Sequence, residues 1–92
     1  MKFMMTYAFG SDVTEGTVDR FLSTGAPAPE GVTLLGRWHA AAGRCGFLLL
    51  ESDDASALFR YSAEWRDLLD LELYPVVDDE MAGQVLGSLQ QG

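Results

Sequence analysis

The stretch Val32 to His39 reads V-T-L-L-G-R-W-H and carries the chain's one His beside one of its two Trp residues. How it lies in a sheet decides the layout of the fold. Alternate side chains of an extended strand point to opposite faces, so Leu35, Arg37 and His39 fall on one side and Leu34, Gly36 and Trp38 on the other. The second side is apolar; the first ends in two nitrogen-rich groups. With helices covering the Trp38 side, Arg37 and His39 are expected to face away from them, toward water, a partner subunit or a ligand. A bulge near the strand end reverses that local parity.

The flanking segments supply the other elements. Upstream, Gly25 to Gly31 (G-A-P-A-P-E-G) cannot continue a helix and reads as a loop. Ahead of it, Val13, Val18, Phe21 and Leu22 form the apolar edge of a helix, with Ser11 or Asp12 as cap and Glu15 in capping-box spacing from Asp12. Gly16 weakens this helix by about 1 kcal/mol relative to Ala, so it depends on packing. Met1 to Phe9 alternates Phe3, Met5, Tyr7 and Phe9 with Met4, Thr6 and Ala8, a strand buried on both sides and therefore central.

Downstream, Ala40 to Arg44 makes a turn and Cys45 to Glu51 a third strand, completing a hairpin. Ser52, Asp53 and Asp54 compete to cap a second helix whose stripe is Ala55, Leu58, Phe59, Ser62 and Trp65. Leu69, Leu71 and Leu73 alternate with Asp70, Glu72 and Tyr74 before Pro75, which marks an edge or a strand end. Asp78, Asp79 and Glu80 open a tail helix carrying Met81, Val85 and Leu89, weakened by Gly83 and Gly87.

The order β-α-β-β-α-β plus a tail helix is the ferredoxin-like, α+β pattern, a single domain over residues 1–92. It places both main helices on one side of an antiparallel sheet and leaves the other side open. On the alternation above, the open side carries Met4, Thr6 and Ala8, then Arg37 and His39, then Asp70, Glu72 and Tyr74. A chain of this length buries only roughly 60 to 65% of its unfolded surface, so a second copy packed face to face supplies useful cover. Such a homodimer would enclose a partly polar cavity for a small-molecule ligand.

Composition excludes several classes of function. Fourteen acidic against six basic residues give a net charge of −8, which repels phosphate backbones and anionic lipid and argues against nucleic-acid or membrane-surface binding. A hydrophobic fraction of 48% argues against disorder. With one Cys, no intrachain disulfide forms. The opening M-K-F-M-M-T-Y turns polar at Gly10, too early for a signal peptide, and no apolar run approaches the roughly 20 residues of a membrane span. The expected location is cytoplasmic.

At L-L-G-R-W-H, followed by G-F-L-L-L-E-S-D-D and A-E-W-R-D-L-L-D, the chain resembles a bacterial domain-of-unknown-function family, number 3303, over nearly its whole length. The T-G-A-P-A-P-E-G loop and Tyr74-Pro75-Val76 add to the resemblance. That family is similar in topology to the dimeric α+β barrels, which implies a homodimer formed by two open sheets. The superfamily includes muconolactone isomerases, cofactor-free monooxygenases and haem-degrading enzymes, so kinship does not choose a reaction.

Among chemistry-bearing residues, His39 is the natural general acid or base, with Asp70 or Glu72 to orient it and Arg37 to hold an anionic substrate group by paired hydrogen bonds. Tyr74 extends the polar row. The plainer alternatives are a His39 bonded to backbone or water and an Arg37 engaged in an ion pair. Trp38 and Trp65 read as core or interface anchors. Some cofactor-free monooxygenases of the superfamily use an Asn, a Trp and a His together; this chain has no Asn, so that triad does not carry over. Cys45 beside Arg44 is a lone thiol without a local motif. One His and one Cys make no zinc site, the acidic runs suit helix caps, no dinucleotide or phosphate-loop glycine pattern appears, and no cofactor is implied. Three readings follow: a small-molecule binding protein, a cofactor-free isomerase or oxygenase using His39, and a purely structural dimerisation module.

Overall fold

The computed structural model describes residues 1–91. Strand β1 (Lys2–Ala8) leads to helix α1 (Thr14–Thr24), the hairpin β2 (Thr33–His39) and β3 (Cys45–Glu51), helix α2 (Ala55–Trp65), strand β4 (Asp70–Val76) and helix α3 (Asp79–Gln91). The sheet order is β2-β3-β1-β4, with every neighbouring pair antiparallel. This is the ferredoxin-like α+β topology. β1 is central, and Pro75 lies in the edge strand β4, where a missing N–H costs least.

Local chemistry explains the helix ends. Asp54 caps α2 by accepting from the N–H of Ala57 at 3.1 Å, and Asp78 accepts from that of Met81 at 2.9 Å ahead of α3. The first helix departs from expectation: a 3-10 turn over Ser11–Val13 precedes α1, and no side chain caps either element. The Val13 N–H goes back to the carbonyl of Gly10 instead, so Asp12 and Glu15 form no capping box. Helix α1 ends at Gly25, whose φ of 73° is the left-handed turn that favours glycine.

The core lies between α2 and the middle of the sheet. Met5, Leu48 and the fully buried Leu50 meet Leu58, Tyr61 and Trp65. Helix α2 is turned relative to the expected stripe: Ala57 and Tyr61 face inward, while Phe59 is 68% exposed. The Tyr61 hydroxyl reaches the Ala26 carbonyl at 3.1 Å, which satisfies its polar end inside the core. By contrast, α1 buries only Thr17.

In β2 the register slips. Leu34 pairs with Leu50 and Gly36 with Leu49, leaving Leu35 out of the ladder as a bulge. Leu34 therefore packs on the core beneath the helices, Leu35 is turned out, and the alternation restarts one residue late. The expectation that Arg37 and His39 lie on the open face is thereby corrected. They sit under the helices, and Trp38 is on the open side, 57% exposed. Strands β1 and β4 match expectation, with Met4, Thr6 and Ala8 on the open side and Leu71 and Leu73 turned to the core opposite Glu72 and Tyr74.

Helix α3 extends away from this body. None of its residues is buried, and Met81, Val85, Leu86 and Leu89 form an exposed apolar face. The molecule measures 54 × 29 × 17 Å with a radius of gyration of 15.7 Å, against about 12 Å for a compact domain of this length.

Candidate functional site

Between α1 and the sheet lies a cavity of about 240 Å³. Met5, Tyr7 and Leu48 form its floor, Leu71 one side, and Phe21 and Trp65 parts of its helical walls. It exists because α1 does not fill the space beneath it. Leu22 is 74% exposed and Val18 half-exposed, while the one buried residue of α1 is the small Thr17.

Helix α1 is instead held at its flank. The Arg20 guanidinium donates to both carboxylate oxygens of Asp67 at 2.8 and 2.7 Å and to the Glu64 carbonyl at 3.0 Å, and lies 5.4 Å over the Trp65 ring. The paired bonds from Arg20 hold the Asp67 carboxyl below its ordinary range.

Tyr7 and His39 stand on strands separated by β3, and the residue between them is Gly46. Any Cβ on Gly46 would overlap the Tyr7 ring, so glycine is what lets that ring lie flat across the intervening strand. The Tyr7 hydroxyl ends 2.6 Å from Nδ1 of His39. Burial pushes the phenol pKa up, the neighbouring Cys45 adds to this and Arg37 opposes it. The raised pKa keeps the phenol protonated, so the hydroxyl can donate to Nδ1. The edge-on ring of Phe21, 5.4 Å away, fixes the imidazole from the helix side.

Arg37 faces the same cavity but is bonded to backbone. Its Nη1 donates to the Ala26 carbonyl at 2.7 Å and its Nη2 to that of Gly25 at 3.1 Å, with the guanidinium 5.1 Å over Phe21. Ala26 has a φ of 44°, the one positive value at a non-glycine position among the described residues. The bonds from Arg37 and Tyr61 to its carbonyl hold that strained turn in place. Burial pushes the Tyr61 phenol up as well, with Arg37 opposing.

The structure thus brings together two of the residues singled out in the sequence and separates them from the other three. Arg37 and His39 line the helix-side cavity, whereas Asp70, Glu72 and Tyr74 lie on the opposite face, where the Tyr74 hydroxyl donates to Glu72. The common cavity expected for all five is not formed, because the bulge at Leu35 moved two of them through the sheet. Tyr7, Thr17 and Tyr61 join the site without having been singled out. For Tyr7 the signal was Gly46, but it speaks only once the register sets the two opposite each other. Among the described residues no cluster of three His, Cys, Asp or Glu could hold a metal ion, and no helix is long and apolar enough to cross a membrane.

Topology and cavity together define a ferredoxin-like α+β protein with a pocket under its first helix. The family model described as Domain of unknown function (DUF3303) matches residues 1–90, and the chain belongs to that family. Among curated proteins none matches the sequence. Two solved structures are similar in backbone. One is a candidate antibiotic biosynthesis monooxygenase from Deinococcus radiodurans, 13% identical, with a TM-score of 0.49 over 85% of this chain and 94% of that one. The other is Rv0793 from Mycobacterium tuberculosis, 14% identical, with a TM-score of 0.49 over 85% of this chain and 96% of its own. Likeness at this level says nothing of chemistry, and the fold assignment rests on the strand order of the chain itself.

Proposed function

We propose that the protein is a cytoplasmic homodimer, with its open sheet faces packed together, that binds a small molecule in the helix-side cavity of each subunit. The observation that carries the binding reading is the Tyr7–His39 hydrogen bond of 2.6 Å inside an otherwise mainly apolar cavity of about 240 Å³. An imidazole and a phenol oriented by each other are ready-made polar contacts for a bound ligand. Arg37 serves this site by holding the Gly25–Ala26 turn beside it.

Support for the dimer is independent of the cavity. Trp38, Phe47 and Tyr74 are each about half exposed on the open face, and α3 presents an apolar stripe to nothing within its own chain. In this reading Asp70, Glu72 and Tyr74 belong to the subunit interface. The net charge of −8 disfavours nucleic acid as a partner.

The test is native mass spectrometry with a library of small aromatic and aliphatic fragments. The native chain is expected to be a dimer that retains fragments, and Val18→Trp, which fills the cavity from α1, to remain a dimer that retains none. Equal retention by both proteins would place the ligand elsewhere. A second reading, catalysis without a cofactor, is favoured by the same short Tyr7–His39 contact, which suits His39 to accept or return a proton. Full turnover of a true substrate by His39→Ala would remove it.

A further inference from the structure

Resting on the cavity reading above, one interior group sets what the cavity selects. Thr17 lines it from α1, is 8% exposed, and its Oγ1 is the one buried side-chain polar atom among the described residues without a hydrogen-bond partner. A threonine in a helix can give its hydroxyl to a carbonyl of the preceding turn, and this one does not. Buried hydroxyls of native proteins are nearly always paired, so an unpaired one at a cavity wall marks the place of a missing partner.

The rest of the wall says what kind of partner. Its guanidinium, Arg37, offers only hydrogens, and the Thr17 hydroxyl still has its hydrogen to give. Tyr7 and Tyr61 direct their hydroxyl hydrogens to Nδ1 of His39 and to the Ala26 carbonyl. The Ala26 carbonyl is already taken by Arg37 and Tyr61. None of the chain's fourteen Asp and Glu residues lines the cavity. An amine would find no carboxylate there. The rings of Phe9, Phe21, Tyr61 and Trp65 add flat apolar wall, and the volume exceeds the roughly 150 Å³ that accommodates benzene. We propose that Thr17 is the interior hydrogen-bond anchor of the cavity and that the ligand is a small aromatic molecule bearing a carbonyl or carboxylate acceptor.

The experiment titrates benzoate, benzylamine and toluene into the native protein, Thr17→Val and Thr17→Ser, reading chemical shifts of the residue-17 and Trp65 amides. Native protein is expected to prefer benzoate to both other probes. Thr17→Val is expected to lose about tenfold in benzoate affinity, the worth of one hydrogen bond, with toluene unchanged. Without ligand it should melt at a higher temperature than the native protein, since a methyl group replaces an orphaned hydroxyl. Thr17→Ser should keep the native preference. Equal benzoate affinity for native and Thr17→Val proteins, or a preference for benzylamine, overturns the proposal while leaving the cavity as a binding site. Failure of all three probes to bind overturns both readings.

Discussion

The two faces of the sheet use the same device for opposite ends. On the covered face the Tyr7 ring lies flat over Gly46, and on the open face the Trp38 ring lies flat over Gly36; in both places a Cβ would overlap the ring. Under the helices the flattened aromatic reaches a polar partner, His39, and becomes part of a site. On the other face it stays 57% exposed and spreads apolar surface beside Phe47. A glycine beneath a ring is thus a way to lay surface down, and the covering layer decides what that surface does.

The sharpest way to break this comparison is to truncate one residue on each face. Leu50→Ala is expected to destabilise the fold by about 2–5 kcal/mol, because the side chain is wholly buried between α2 and the sheet. Phe47→Ala, three residues away in the same strand, should leave the denaturation midpoint of the isolated subunit nearly unchanged and weaken the dimer instead. Urea titrations at two protein concentrations separate these effects, and equal losses of subunit stability would erase the distinction between the faces.

A somewhat smaller effect is expected from Arg37→Met. The two backbone carbonyls it holds would lose charge-assisted bonds, costing about 1.5–3 kcal/mol, and the strained turn at Ala26 should loosen. Hydrogen exchange at residues 25–31 reports the loosening directly; unchanged protection would mean that Arg37 does not hold the loop.

The glycine pair comes next. Gly46→Ala should cost about 1–3 kcal/mol and displace the Tyr7 ring, since the added carbon also meets the backbone oxygen of Trp38. Gly36→Ala meets only the rim of an exposed ring and should cost less. The imidazole resonances of His39 should move in Gly46→Ala and hold still in Gly36→Ala.

The smallest effect is electrostatic. The Asp67 carboxyl is held low by Arg20, so its contribution is fully present above the unfolded pKa and is lost as pH falls through the lower folded value, below about pH 4. Asp67→Asn should flatten the acid limb of a stability-versus-pH curve and leave the neutral plateau little changed, because the pair is solvent-exposed. An unchanged acid limb would show that the clamp over Trp65 adds nothing to folding.

Much of the architecture was legible because it rests on short-range patterns. Alternation in Met1–Phe9 and Leu69–Tyr74 marked two strands with the right faces, and the runs Ser52-Asp53-Asp54 and Asp78-Asp79-Glu80 were recognisable as helix starts, although only the structure chose Asp54 and Asp78 from them. The candidate site was less so. Its imidazole and guanidinium stood out by residue type, but their placement depended on whether β2 is regular, and one unpaired residue, Leu35, sent both through the sheet. Phe59 misled for a similar reason, since a helical stripe leaves its rotation open by a residue and packing against Ala26 chose Tyr61.

The sequence by itself determined the order of elements, the α+β class, the acidic surface and the absence of any Asn for an Asn-Trp-His site, since these depend only on composition and on periods of two and 3.6 residues. Tertiary structure alone decided which face of β2 meets the helices, that Tyr7 touches His39 across Gly46, and that Thr17 is buried without a partner. Each of those facts depends on register between segments distant in the chain, and register is settled by packing rather than by any local pattern.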